Sequence, residues 1–211
     1  MSSDVFEIRI CTGCGLRYPI RQGHSFGIRC PHCLGETRVV LEKSISEESM
    51  TREHERSTRS GNFAVLMDNI RSAWNVGSIL RSADGFGFTH AYLCGITPTP
   101  ENEAVRKTSL GAEEYVTWSH HVNAVKLVEN LRSEGWKVYA MEEHGSAKDI
   151  RSMDAKMPGK NRLLIVGSEV TGADPDLLDL CDEIVFIPMS GKKRSFNAAI
   201  AFSIAAFALV E

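Results

Sequence analysis

The sequence predicts an α/β protein with a largely parallel sheet, preceded by a small cysteine-bearing module. Short apolar runs that read as buried strands alternate with helical segments over residues 62–211. Two CxxC pairs lie near the N-terminus, and a polar, highly charged stretch without an apolar stripe separates them from the α/β pattern. Such a stretch is either a solvated helix or a flexible tether. We therefore predict three segments, a module at 1–41, a linker at 42–61 and an α/β domain at 62–211.

Composition limits the location and the partners of the chain. The net charge of −3 gives no general attraction to a polyanion, so a nucleic-acid contact would need a local basic patch. The first residues have neither the basic nor the apolar stretch of a signal peptide. The most apolar segment, 196–210, is shorter than the roughly 20 residues that span a membrane. We expect a cytoplasmic protein without a membrane partner.

The two CxxC pairs predict a structural zinc ribbon. Fifteen residues separate the pairs, which matches the short end of the C-x2-C-x15–20-C-x2-C zinc pattern. Four thiolates would complete a closed tetrahedral site and supply much of the folding energy of so small a module. A redox pair or a disulfide is the alternative, and two matched pairs in a cytosolic chain disfavour it. The predicted ligands are Cys11, Cys14, Cys30 and Cys33.

The α/β domain contains six predicted strands and five predicted helices. The strands are expected at 63–67, 91–94, 115–118, 138–141, 163–166 and 183–187. The helices are expected at 75–84, 101–110, along a stripe from Val122 to Leu131, at 176–180, and from near Ser195 to the C-terminus. The sequence contains no dinucleotide-binding GxGxxG after the first strand, no P-loop and no GxSxG, which disfavours dehydrogenases, NTPases and α/β-hydrolases.

Three motifs occur in order along this domain. Residues 75–81 read NVGSILR, residues 166–172 read VGSEVTG, and IPMSG at 187–191 precedes SFNAA at 195–199. Their order and spacing resemble the SpoU branch of the SPOUT RNA methyltransferases, the TrmH-like 2′-O-ribose methyltransferases. The resemblance covers residues 62–211 and leaves the ribbon outside. The sequence has Val170 where the family often has Gly, and Phe196 where it often has Leu.

The resemblance implies a C-terminal trefoil knot that holds S-adenosylmethionine, and a homodimer with each active site near the subunit interface. It also implies that two glycine-containing loops and the start of the last helix bind the methyl donor. A final helix that is apolar on all faces agrees with a subunit interface, because it has to be covered all round. The expected cofactor-binding residues are Gly167, Ser168, Gly172, Ile187, Met189, Ser195 and Phe196.

Five polar residues of these motifs are the catalytic candidates, each with a plainer alternative. Arg81 would stabilise the alkoxide that develops on a ribose hydroxyl, because a guanidinium is very hard to deprotonate and so is a poor general base. It would otherwise be a surface helix residue. Asn75 would orient Arg81 or the ribose, or cap its helix. Glu169 would anchor Arg81 or the partner subunit, or face solvent. Ser195 and Asn197 would reach the substrate or cofactor, or only cap the last helix.

The RNA contacts predicted from the sequence are both local. The densest basic run of the sequence comprises Lys192, Lys193 and Arg194. It would clamp a phosphate, unless it is only a solvated surface. The ribbon would supply part of the RNA grip, because residues 1–41 contain five Arg against three acids. Residues 62–211, by contrast, contain fifteen Lys and Arg against nineteen acids.

We expect 2′-O-methylation of tRNA or rRNA. The alternatives are a catalytically silent RNA-binding protein and a SPOUT enzyme that methylates a base nitrogen.

Overall fold

A computed structural model describes residues 4–45, 61–152 and 161–210. The chain forms two compact units, Met1–Glu55 and Arg56–Glu211. Most of the predicted linker, residues 42–61, lies outside the described residues.

The N-terminal unit is a three-stranded antiparallel sheet with the order β2-β1-β3. The strands are β1 (Asp4–Cys11), β2 (Arg17–Arg21) and β3 (Thr37–Ile45), so β3 continues past residue 41. The β1–β3 register shifts between Ile8, which pairs with Leu41, and Arg9, which pairs with Val39, so the extra residue Val40 forms a bulge in β3. Both cysteine pairs lie at turns at one end of this sheet, after β1 and before β3.

The C-terminal unit is built on a seven-stranded sheet whose recorded pairings are all parallel. The strand order is β6-β5-β4-β9-β7-β10-β8. The predicted mostly parallel α/β fold is thus confirmed, and the trefoil knot stays a prediction. The strands are β4 (Asn62–Asp68), β5 (His90–Cys94), β6 (Thr117–His121), β7 (Lys137–Met141), β8 (Lys148–Asp149), β9 (Asn161–Val166) and β10 (Glu183–Phe186).

Helices cover both faces of this sheet, which explains why its central strands are apolar on both sides. One core joins the first and last helices to one face and includes Ile79, Leu80 and Phe202. The other core joins the helices between β6 and β7 and between β9 and β10 to the opposite face, through Val128 and Leu177. The helices are α1 (Ala73–Gly85), α2 (Glu103–Ser109), α3 (Ala124–Ser133), α4 (Pro175–Asp179) and α5 (Ala198–Val210).

The last helix begins at Ala198, so the predicted start near Ser195 is wrong. The side-chain oxygen of Asn197 accepts a hydrogen bond from the Ala199 N–H (3.0 Å), and this cap fixes the boundary. On this helix Phe202 is fully buried, whereas Ile200 and Phe207 are 52% and 53% exposed, so the described residues do not cover α5 on all sides. Across the described parts of the chain, every helix is too short or too polar to cross a bilayer.

Candidate functional site

A cavity of about 640 Å³ lies where β7, β9 and β10 end. These three strands are adjacent and parallel, so their carboxyl ends meet at one edge of the sheet, the usual position of ligand sites in open α/β sheets. The loops that follow the strands and the residues around the start of α5 form its wall. All seven predicted cofactor-binding residues line it, namely Gly167, Ser168, Gly172, Ile187, Met189, Ser195 and Phe196.

The loop after β9 closes on itself too tightly to accept a side chain at its first position. Ser168 and Gly172 exchange two backbone hydrogen bonds, of 3.0 and 2.9 Å. A Cβ atom on Gly167 would lie 2.1 Å from the Ala173 nitrogen and 2.3 Å from the Gly172 carbonyl carbon. Gly172 itself has a φ of +72°, in the left-handed region that favours glycine. The VGSEVTG motif therefore builds a narrow backbone loop along the cavity.

Glu142 fixes the far end of this loop. Its carboxylate accepts a hydrogen bond from the Ala173 N–H (3.0 Å), and a Cβ on Gly172 would lie 2.5 Å from the same oxygen. Glu142 and Glu143 line the cavity, and neither was among the candidates from the sequence. Two adjacent carboxylates directly after the predicted strand 138–141 were the available signal, since polar residues at strand ends often mark a site.

A hydrogen-bonded chain joins three predicted catalytic residues. The Glu169 carboxylate accepts from the N–H groups of Arg71 (2.9 Å) and Ser72 (3.2 Å) and from the side-chain amide of Asn75 (2.7 Å). The Asn75 oxygen in turn accepts from the side-chain amide of Asn197 (2.9 Å). Both amide orientations are thereby fixed, because Glu169 can only accept when it is ionised. The start of α1, the loop after β9 and the start of α5 are held together through side chains.

Glu169 is the anionic member of this chain. Burial raises the pKa of its carboxyl group, but the hydrogen bonds from Arg71, Asn75 and Ser72 outweigh this effect and hold the pKa below its usual range. Glu169 therefore anchors Asn75 and the start of α1. The expectation that it anchors Arg81 has no counterpart among the described contacts of Glu169.

Arg81 is exposed and does not line the cavity. It follows Asn75 by six positions on α1, and six residues rotate the helix by about 240°, so the two side chains leave different sides of it. The basic run is also divided. Arg194 borders the cavity, whereas Lys192 and Lys193 are exposed outside its lining. The catalytic and RNA-binding roles of these residues stay predictions.

The four cysteines of the ribbon form one compact cluster. Their sulfur atoms all lie within 4.8 Å of one another, with 3.5 Å between Cys11 and Cys33 and 3.7 Å between Cys14 and Cys30. A tetrahedral zinc–thiolate site with bonds near 2.3 Å requires sulfurs about 3.8 Å apart. The N–H groups of Cys14 and His32 point at cysteine sulfurs from 3.4 Å, which suits thiolates. The cluster is therefore compatible with zinc.

Two solved structures resemble most of the chain. An AdoMet-bound rRNA methyltransferase from Sinorhizobium meliloti superposes with a TM-score of 0.66 at 27% identity, over 72% of this chain and 56% of that one. The SpoU methyltransferase AviRb from Streptomyces viridochromogenes, in complex with AdoMet, gives a TM-score of 0.64 at 27% identity, over 83% and 68% of the two chains.

Sequence comparison assigns the family. A Staphylococcus haemolyticus protein named for the TrmH family of tRNA/rRNA methyltransferases is 34% identical over 140 residues, which cover 66% of this chain and 55% of that protein. The chain thus spans about half the length of the curated relatives it matches. The SpoU rRNA methylase family itself matches residues 62–207, most of the C-terminal unit and well over half of the chain. The chain belongs to the SpoU rRNA methylase family.

Proposed function

We propose that this chain is an S-adenosylmethionine-dependent methyltransferase that acts on a ribose 2′-hydroxyl of tRNA or rRNA. The observation that carries the proposal is the cavity, in which the narrow loop after β9 adjoins the chain of Glu169, Asn75 and Asn197. The family and the AdoMet complexes of the two similar structures support the methyl donor.

The residues around the cavity fit such a donor. Its volume lies within the range of about 300–1,000 Å³ that small-molecule sites occupy. Ile187, Met189 and Phe196 offer apolar surface to an adenine ring, and Glu142 and Glu169 give the wall a negative charge that favours a sulfonium cation. When bound, the donor supplies an already activated methyl group, so the protein mainly has to position the acceptor hydroxyl.

The acceptor side of the reaction depends on a cation. A ribose hydroxyl is a weak acid, and a guanidinium beside it would stabilise the developing alkoxide without itself losing a proton. The hydroxyl proton would pass to water or to an RNA phosphate. We infer that Arg81 has this role and that it serves the cavity of a second protomer, since within one chain it is not part of the cavity wall. The exposed apolar side chains of Trp74, Ile200 and Phe207 on α1 and α5 support a homodimer through these helices.

The reaction is tested by incubating the protein with labelled S-adenosylmethionine and RNA, then digesting the RNA with alkali. A 2′-O-methyl group blocks cleavage at its own nucleotide, so label should appear in alkali-resistant dinucleotides. Label in ordinary mononucleotides would instead identify methylation of a base nitrogen. No transfer to tRNA or rRNA from cells that lack this protein would favour the silent RNA-binding alternative.

Mixing two inactive variants tests the assignment of Arg81 to the neighbouring cavity. Arg81→Ala removes the cation and Gly167→Ala disrupts the donor loop. If each site combines Arg81 of one protomer with the loop of the other, one of the two sites in every mixed dimer is intact. Random mixing should then restore about a quarter of wild-type activity. A mixture as inactive as its components would show that both groups act from the same chain.

A further inference from the structure

Strand register gathers basic and apolar side chains on one face of the ribbon sheet. Directly paired residues on neighbouring strands share a face. Along β1, Phe6 pairs with Arg21 and Lys43, Ile8 with Pro19 and Leu41, and Ile10 with Arg17 and Arg38. We call these nine residues the open face. They are Phe6, Ile8 and Ile10 on β1, Arg17, Pro19 and Arg21 on β2, and Arg38, Leu41 and Lys43 on β3.

The opposite face of the same sheet is occupied by the ribbon's own chain. Arg9 forms an ion pair with the buried Glu7 and donates to the Thr37 hydroxyl (3.0 Å). That hydroxyl donates to the carbonyl of Gly27 (2.7 Å), and the Tyr18 hydroxyl donates to the carbonyl of Phe26 (2.6 Å). The turn around Phe26 and Gly27 is thus fastened to this face. Among the residues that the structure describes, this leaves the open face as the one available to a partner.

The open face has an apolar centre flanked by positive charge. Arg17, Arg21, Arg38 and Lys43 are all exposed and lie on the two outer strands. Since neighbouring strands are about 4.8 Å apart, the two rows of cations are about 10 Å apart across the middle strand. Between them, Phe6, Ile8 and Ile10 are only partly buried, and Leu41 is 55% exposed. The two acids in the middle of the sheet, Glu7 and Glu42, pair with each other on the opposite face.

We propose that the open face binds an unpaired RNA strand, and the proposal rests on the proposed function in taking RNA as the substrate. Phosphates would contact the flanking cations, while bases would lie on the apolar row, with Phe6 as the aromatic platform. This combination of a charged groove and an aromatic platform is the usual way in which proteins hold single strands. A duplex fits less well, because its bases are stacked on one another and leave nothing to cover an apolar row.

The magnitude follows from the number of cations. Each phosphate neutralised on a single strand adds about 0.7 to the slope of log affinity against log salt concentration. Four contacts therefore contribute a slope of about 2.8, and loss of the two cations of β3 should remove about 1.4 of it. Replacing Phe6 with a non-aromatic residue should weaken binding by roughly fivefold to 100-fold if a base stacks on it.

The experiment measures fluorescence anisotropy of a labelled single-stranded RNA of about 12 nucleotides, within the site size of one small module. The whole 211-residue chain is titrated at several salt concentrations, beside the variants Arg38→Gln/Lys43→Gln and Phe6→Leu. The matched control is Lys126→Gln/Arg132→Gln, which removes two equally exposed cations from α3 in the other unit. Circular dichroism verifies that each variant is folded, and methyl transfer is measured in parallel.

We expect the β3 double variant to bind at least tenfold more weakly and to lose about 1.4 units of salt slope, whereas the α3 control keeps both values. Equal losses in the two double variants, or none in either, would overturn the proposal. An unchanged RNA affinity in a folded β3 variant would likewise overturn the proposal. If the wild type transfers no methyl group but the β3 variant still loses RNA binding, the proposed function fails and the open face stands.

Discussion

Gly167→Ala is the substitution that most directly tests the donor loop. The added methyl group would lie 2.1 Å from the Ala173 nitrogen and 2.3 Å from the Gly172 carbonyl carbon. Both are backbone atoms, so no side chain can rotate away to make room. The loop has to open, and it then loses the two hydrogen bonds between Ser168 and Gly172. Because the loop lines the cavity, opening it should impair donor binding more than it impairs the fold.

The expected effect is large. Two backbone hydrogen bonds contribute about 1 kcal/mol each, and overpacking costs about 1–3 kcal/mol. Part of the overlap is relieved when the bonds break, so we estimate a net loss of about 2–4 kcal/mol. At about 1.4 kcal/mol per tenfold change, donor affinity should fall by roughly 30-fold to 1,000-fold.

Isothermal titration calorimetry with S-adenosylmethionine measures this loss. The matched control is Gly85→Ala, because Gly85 lies at the end of α1 outside the cavity lining, and its added Cβ would meet nothing within 4 Å. The control should bind the donor like the wild type. A Gly167→Ala protein with unchanged affinity would refute the reasoning, since the loop would then tolerate a side chain or lie outside the donor site.

Three further predictions concern the charged and cysteine residues. Arg81→Ala should reduce methyl transfer by about 100-fold or more with donor affinity unchanged, as measured by single-turnover kinetics and calorimetry. Because the folded-state pKa of Glu169 is depressed, its ionised form stabilises the fold above the usual carboxyl value of 4.5 and this contribution is lost as pH falls through the folded pKa. The stability difference between wild type and Glu169→Gln should therefore shrink in acid, in denaturant titrations between neutral pH and the acid range. Mass spectrometry under native conditions should find one zinc per chain, and a Cys11→Ser protein that folds with full thermal stability and no metal would contradict the zinc site.

Five of the seven strands of the C-terminal unit, β4, β5, β7, β9 and β10, were predictable because each contains a short apolar run, and the parallel sheet followed from the alternation of strands and helices. β6 lies at Thr117–His121 instead of the predicted 115–118, because most of its residues are polar. β8 was missed because Lys148–Asp149 is charged and only two residues long. The start of α5 was predicted too early, near Ser195, because Ser195 and Asn197 are both favourable capping residues and the sequence does not show which of them caps the helix. Glu142 was missed because its contact is with Ala173, 31 positions away, and spacing along the chain carries no sign of it. The catalytic roles came from motif resemblance, and the structure adds which of those residues touch.

The open face was hidden for a different reason. Arg38, Leu41 and Lys43 do not alternate with a period of two, so inspection of the sequence does not group them. Ile8 of β1 pairs with Leu41 and Arg9 pairs with Val39, so Val40 is an extra residue that forms a bulge in β3 and brings all three to one side. A single irregularity of the backbone thus determines which charges act together, and such irregularities are poorly predicted from sequence.

The hydrogen bond between Asn75 and Asn197 has a consequence for how the protein matures during synthesis. It joins residues 122 positions apart, and Glu169 joins the same network across 94 positions. Contacts of such long range form late and slowly, because the intervening chain has to be ordered first. A nascent chain that has not yet emerged beyond residue 197 lacks one wall of the cavity. Donor binding should therefore be absent from stalled chains that end before residue 197 and appear in one step once the chain has emerged beyond the cavity-lining Ala201.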